Sequence, residues 1–489
     1  MKSINKLTLL LRVGLFLSVF SCQLQEVNQN SNNPEDVPIG TLLTSAEVVM
    51  SYAIGSDAAQ YTGVFTQQIG AVGGDIAATD NYNAGSDRFD QLWTSLYANS
   101  GQDLIRIIDK ASGLDAPQYS GIAKILLATT LGNLTDLFGD IPYAEAFKGT
   151  ANITPRYDSQ EKVYAEIQKL LDEGIAELAK PGNLKPGSDD IFYRGDVSRW
   201  TAAAWSLKAR YALHQTKLNP NKAAQEVLNA LYVGNGAGAY RGIASNDADL
   251  QLVFMASASQ ASPWWQQNAL RPGTYALGAN FVNLLNGGSG VPPDPRRAFF
   301  ATPVTMNSAT PVYIGTVAGK PVLPASNVGP FYGSQNSPVP LMTFVECKFM
   351  EAEARLILDQ TNPKAGQLLQ QGIVASFAKV GANSVPQAQR DEYLIKQGSF
   401  AAEESATDKL NRIITQKYIA LFTQPEVWVD YRRTGFPTLT PALGGSTGLN
   451  PGGAIPRRLP YPLNTEQAIN QNIPTKTPSY QVPRLWWDK

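Results

Sequence analysis

Residues 160–178 read QEKVYAEIQKLLDEGIAEL, and their spacing decides the fold class. Val163, Ile167, Leu170, Leu171 and Leu178 fall on one stripe at intervals of three and four. Glu166, Lys169, Glu173 and Glu177 lie away from it. That is an amphipathic helix with a single buried face. Working outward, Pro117 opens a more apolar helix bearing Ile122, Leu126, Leu134 and Leu137, stopped by Gly139-Asp140-Ile141-Pro142. Its lack of charge implies cover on most faces. On the other side, Ser198 is expected to cap a helix carrying Trp200, Ala203, Ala204, Leu207 and Tyr211.

The alternation returns further along. Leu341, Val345, Phe349, Ala352 and Leu356 form a stripe, with Glu351 and Arg355 as an i,i+4 pair. Asn362-Pro363 supplies a cap and a first-turn proline. Leu410, Ile413, Ile414, Tyr418 and Leu421 give another helix. The expected fold is mainly α: tetratricopeptide-like helical hairpins forming a scaffold over about 39–232 and 341–433, with little β structure. No exact 34-residue repeat is visible.

Residues 233–340 break the pattern. Their 13 glycines and 12 prolines in 108 positions forbid long helices. They carry only eight charged residues but eleven aromatics, the opposite of a disordered segment. The stretch is read as a loop-rich, ordered insertion, and Val312-Tyr313-Ile314 before Gly315 hints at a short hairpin. Residues 434–489 repeat its Pro- and Gly-rich character as an irregular C-terminal segment.

The N-terminus reads as an address. Lys2, Lys6 and Arg12 precede an apolar run, Val13 to Phe20, that ends in Ser21-Cys22. The run is too short to span a bilayer. It fits a lipoprotein signal peptide over 1–21, with Cys22 lipidated after cleavage, against plain secretion with an incidental cysteine. Residues 22–38, rich in Asn and Gln, would be a flexible tether. Without the leader, 37 basic residues face 41 acidic ones, a charge of −4, so the basic footprint of a nucleic-acid binder is missing. Cys347 is the only other cysteine, which leaves no disulfide framework.

Catalytic signatures fail. With His214 as the single histidine, two-histidine zinc motifs are excluded, and capping or packing is the expected role of that residue. Gly444-Gly445-Ser446-Thr447-Gly448 matches a nucleophile-elbow string, but Pro441 precedes it and no helix pattern follows, so it reads as a loop. Asn246-Asp247-Ala248-Asp249 lacks the central glycine and distal glutamate of a calcium loop and reads as a turn. No cofactor or metal is expected. Two carboxylates suffice for a glycosidase, so a glycan-cleaving surface enzyme stays open, as does a purely structural helical adaptor. The better chemical signal is aromatic. Trp264, Trp265 and Tyr275, with Tyr82 as a further candidate, are ring faces that a ligand could cover, the alternative for each being core packing. Trp93, at helical spacing from Phe89 and Leu96, is assigned to the core.

Several segments taken together resemble the SusD/RagB family of outer-membrane nutrient-binding lipoproteins, in its SusD-like second branch. They are Asn32-Asn33-Pro34 through Val37-Pro38, Phe138 through Ala146, Pro155-Arg156-Tyr157-Asp158 leading to Val163-Tyr164, Glu346 through Ala354, Trp428 through Gly435, and Arg457 through Pro462. The resemblance implies a single domain over 39–489. It also implies a non-catalytic receptor that is lipid-anchored in the cell outer membrane and surface-exposed. Such a receptor binds an oligosaccharide or a peptide and delivers it to a TonB-dependent transporter partner. A glycan is the expected ligand, and no ligand motif carries over residue by residue.

Overall fold

The computed structural model describes residues 36–489 apart from 235, 289, 306–310 and 402. The expected signal peptide, Cys22 and nearly all of the tether lie outside the described residues. In chain order the principal helices are α1 (Ile39–Ala53), α2 (Ala59–Phe65), α3 (Gln102–Gly113), α4 (Pro117–Phe138), α5 (Gln160–Leu178) and α6 (Val197–Leu213). They continue as α7 (Pro220–Leu231), α8 (Pro263–Leu270), α9 (Phe344–Leu358), α10 (Pro363–Val380), α11 (Ala406–Ala420) and α12 (Glu426–Thr434). Strand content among the described residues is small. β1 (Ile69–Ala71) pairs antiparallel with β3 (Tyr275–Leu277), and β2 (Leu250–Val253) with β4 (Pro338–Met342), the latter with a register break at Leu250/Gln251.

The helices stack as hairpins, α3 on α4, α4 on α5, α6 on α7 and α9 on α10. The chain is mainly α, as its periodicity implies. α4 and α5 cross closely because Gly121 and Gly174 face each other: a Cβ on Gly121 would lie 2.9 Å from the Gly174 carbonyl oxygen. Helix α7 packs directly on α9 although about 110 residues separate them, so the array runs on past the Gly- and Pro-rich stretch. Within that stretch the longest described helices, α8 and Ala279–Asn286, have eight residues each.

The corner between α4 and α5 is tied by polar contacts. Gly139 leaves α4 at φ +92°, a conformation that favours glycine. Asp140 Oδ1 accepts the Gln160 N–H at 2.8 Å at the start of α5. Ile141 bridges Asp158, whose carboxylate accepts the N–H groups of Tyr143 and Ala144 at 3.0 and 2.8 Å. Arg458 Nη2 donates to the Phe138 carbonyl at 2.7 Å, bringing the C-terminal segment into the same knot.

Some local expectations shift. Helix α6 is capped by Asp196, whose carboxylate accepts the N–H groups of Ser198 and Arg199, so Ser198 sits inside the first turn. Leu341 belongs to β4, and Thr343 caps α9. Val312 makes an isolated antiparallel bridge to Val304, with 306–310 between them outside the described residues, and Gly315 is needed because a Cβ there would lie 2.5 Å from Ala279 Cα. Asn362 and Pro363 start α10 as expected.

A buried ionic network joins the two scaffold segments. Arg210 of α6 pairs with Glu346 of α9, its Nε lying 2.7 Å from Oε1. Arg433 pairs with Glu353 and Asp430, each at 2.6 Å. Lys417 bridges Asp430 and Glu426 at 2.9 and 3.5 Å. His214 follows α6 and meets Glu426 at 3.0 Å, Asp136 at 3.3 Å and the Tyr164 hydroxyl at 2.8 Å. Charges taken out of water this completely persist only when paired. The histidine therefore does more than pack.

Candidate ligand-binding cleft

Between α1 and α2 the chain makes a π turn, Ile54–Ala58. Such wide turns are uncommon and often sit at functional sites. Its inner side is pressed onto β4, where a Cβ on Gly55 would lie 2.5 Å from Val339 Cγ2. The turn brings Tyr52, Asp57, Gln60 and Tyr61 to one side, opposite Gln266, Gln267, Leu270 and Arg271 of α8 and its C-terminus. Asp75 and Arg88 close the end. Together they enclose a cleft of about 360 Å³.

Its polar groups are only partly satisfied. Arg88 binds Asp75 through Nη1 and lies 5.7 Å from the Tyr61 ring centroid, while its Nε is buried with no partner among the described residues. Gln267 Nε2 is buried and equally unpartnered. Gln266 is fixed, donating to the Tyr52 hydroxyl at 2.8 Å and the Ala261 carbonyl at 2.7 Å. Burial pushes the Asp57 carboxyl up, against the pull of Arg88. Burial would raise Asp75 too, but the hydrogen bond and charge of Arg88, then Arg271, hold it below its ordinary value. The cleft thus presents donors without acceptors beside carboxylates, and an exposed apolar lip at Leu270, 75% accessible. Hydroxyl-rich ligands offer the matching acceptors and donors.

Of the four rings singled out by sequence, three are core. Trp264 is buried edge-on to Tyr275, at 6.2 Å between centroids. Tyr275 is buried under the cleft and donates its hydroxyl to Gln60 Oε1. Tyr82 is fully buried, accepts the Ala442 N–H at 3.1 Å, and is covered by Gly445, where a Cβ would come within 2.7 Å of the ring. Rings covered in this way offer no face to a ligand, so these three are not contact residues in this structure. Trp265 is half-buried, and it stands apart from the helix positions 263, 266, 267, 270 and 271 that line the cleft. Sequence reasoning missed Asp57, Asp75, Arg88 and Arg271. The one visible signal was the Gln266-Gln267 pair beside the tryptophans. Asn246–Ala248 forms a turn, and Asp249 is committed to Lys379 at 2.5 Å and to the Phe344 N–H. Among the described residues no cluster of His, Cys, Asp and Glu could hold a metal ion, and no helix is long and apolar enough to cross a membrane.

Residues 31–462 match the second SusD-like family, described as starch-binding and associating with the outer membrane. The chain belongs to the SusD-like family. Solved structures share its fold. A SusD homologue from Bacteroides uniformis is 26% identical, over 92% of this chain and 99% of that one, with a TM-score of 0.74. A chitin-binding SusD homologue from Flavobacterium johnsoniae is 23% identical, over 92% and 97%, also at 0.74. A further chitin-binding protein is 23% identical, over 91% and 99%, at 0.74. Nothing among the curated proteins matches.

Proposed function

We infer that this SusD-like chain is a non-catalytic receptor at the outer membrane, anchored through Cys22. In this reading it binds an oligosaccharide in the Arg88–Gln267 cleft and delivers it to a TonB-dependent transporter. The observation that carries the ligand reading is the pair of buried, unpartnered donors, Arg88 Nε and Gln267 Nε2, beside the Asp57 carboxyl. The starch-binding description of the family and the chitin-binding structures support a carbohydrate over a peptide. Asp75 argues against glycoside hydrolysis, since its carboxylate is engaged by Arg88 and faces Arg271 at 3.9 Å.

Titration with starch and chitin oligomers tests the reading. Gln267→Ala and Asp57→Asn should each weaken binding by about tenfold, the scale of one hydrogen bond to a charged or well-placed group. Binding untouched by both variants, binding of peptides alone, or the appearance of new reducing ends would overturn it. The anchor has its own test. Cys22→Ser should move the protein from the membrane fraction to the soluble one, and a variant that stays membrane-bound removes Cys22 from the proposal.

A further inference from the structure

A second cleft, of about 850 Å³, lies on the helical array and shares no lining residue with the first. Its floor is aromatic, built from Tyr232, Tyr240 and Phe344. Its walls are the turn at Asn246 and Asp247 and the exposed face of α10 at Gln370 and Gln371. Lys348, one turn into α9, points its ammonium across this floor, 5.1 Å from the Tyr240 centroid and 5.1 Å from that of Phe344. The other basic groups in this part of the array are committed. Lys379 binds Asp249 at 2.5 Å, and Arg355 binds Glu351 at 3.2 Å. Lys348 has no carboxylate or hydrogen-bond partner among the described residues. Asn246 adds a second open group: its Nδ2 donates to the Ala375 carbonyl at 2.9 Å, while its Oδ1 is buried with no donor among the described residues.

We propose that this cleft is a second saccharide site, one that takes a sugar bearing a carboxylate, such as a uronic acid. The carboxylate would pair with the Lys348 ammonium, which two aromatic rings hold in place by cation–π attraction. The apolar face of the sugar ring would lie on the Tyr240 and Phe344 side of the floor. Its hydroxyls would donate to Asn246 Oδ1 and to the rim carboxylate of Asp247, and accept from the Gln370 and Gln371 amides. An extended peptide is the poorer fit. Peptides gain much of their affinity by adding to an exposed strand edge, and this cleft is walled by helices and a turn.

The test is calorimetric titration of the mature full-length protein with a galacturonate tetrasaccharide, and with the same oligomer after carboxyl reduction. The acidic oligomer should bind, the reduced one at least about tenfold more weakly, and added salt should weaken the first more than the second. Lys348→Met should cost at least about tenfold, Phe344→Leu should weaken both oligomers, and Arg199→Met, in an exposed surface pair outside both clefts, should change neither. Unfolding midpoints of the variants show that each is folded. Three results would overturn the proposal: no binding at millimolar galacturonate, binding indifferent to Lys348→Met in a folded variant, or binding lost through Asp57→Asn. Displacement of the bound sugar by an acidic peptide of higher affinity would also reject it, and assign the cleft to a protein partner.

Discussion

Replacing Arg433 with methionine is expected to lower the unfolding free energy by about 3–5 kcal/mol, the usual cost of stranding a buried charge. The guanidinium is fully buried, and it holds Glu353 through both Nη atoms and Asp430 through Nε and Nη2. Methionine fills much of the same volume, so packing changes little, but two carboxylates are left facing each other with Lys417 as the nearest cation to Asp430. One of them must then take up a proton or admit water. Urea unfolding at neutral pH measures the loss. Arg199→Met is the control, because its partner Asp196 lies 3.6 Å away and both side chains are more than 40% exposed, so the shift there should stay below about 1 kcal/mol. Equal shifts for the two variants would show that the network contributes no more than a surface pair.

That network also shows where sequence reading stops. The boundaries of α5 and the starts of α4 and α10 follow from local chemistry: an apolar stripe, a first-turn proline, an asparagine cap. Helix α9 is different. Its Glu346, Glu351 and Glu353 look like a solvated face, yet all three are buried because α9 packs against α7, α10 and α11. Burial on several sides depends on neighbours that one helix cannot announce. The segments that resembled the family have the same explanation. Trp428 to Gly435 supplies Asp430 and Arg433 to the network, and Phe138 to Ala146 forms the tied corner before α5. They identify the fold because the fold depends on them, and for that reason they say nothing about a ligand.

The cleft was less legible still. Aromatic residue type does not distinguish a ring that packs from one that binds, and Trp264, Tyr275 and Tyr82 pack. What makes the site is a π turn and a pairing across some 200 residues, between Gln60 near the N-terminus and Tyr275 and Gln266–Gln267 in the irregular stretch. Neither leaves a local pattern in the sequence. A polar dipeptide after the tryptophans was the only trace.

His214 gives the second large effect, and it depends on pH. Full burial alone would lower its pKa, but the charges of Glu426 and Asp136 and their hydrogen bonds outweigh that and push it up to about 9. The histidine in turn helps hold Glu426 well below its ordinary value, against burial. An unfolded chain has its histidine near 6.5. The folded state therefore binds the proton more tightly, and the stability this supplies is complete below about pH 6.5 and disappears as pH rises through about 9. The gap corresponds to about 3 kcal/mol. Wild type should lose that amount between pH 6 and pH 10 relative to His214→Gln, whose neutral side chain cannot supply it. The comparison cancels the tyrosines and lysines that titrate in the same range. Because the chain has one histidine, a tag-free sample gives a single imidazole signal by NMR, and its titration midpoint reads the value directly. A midpoint near 6.5, or parallel stability curves for the two proteins, would mean that the ring is neutral in the fold and that Glu426 and Asp136 are balanced by Lys417, Arg210 and Arg432 alone.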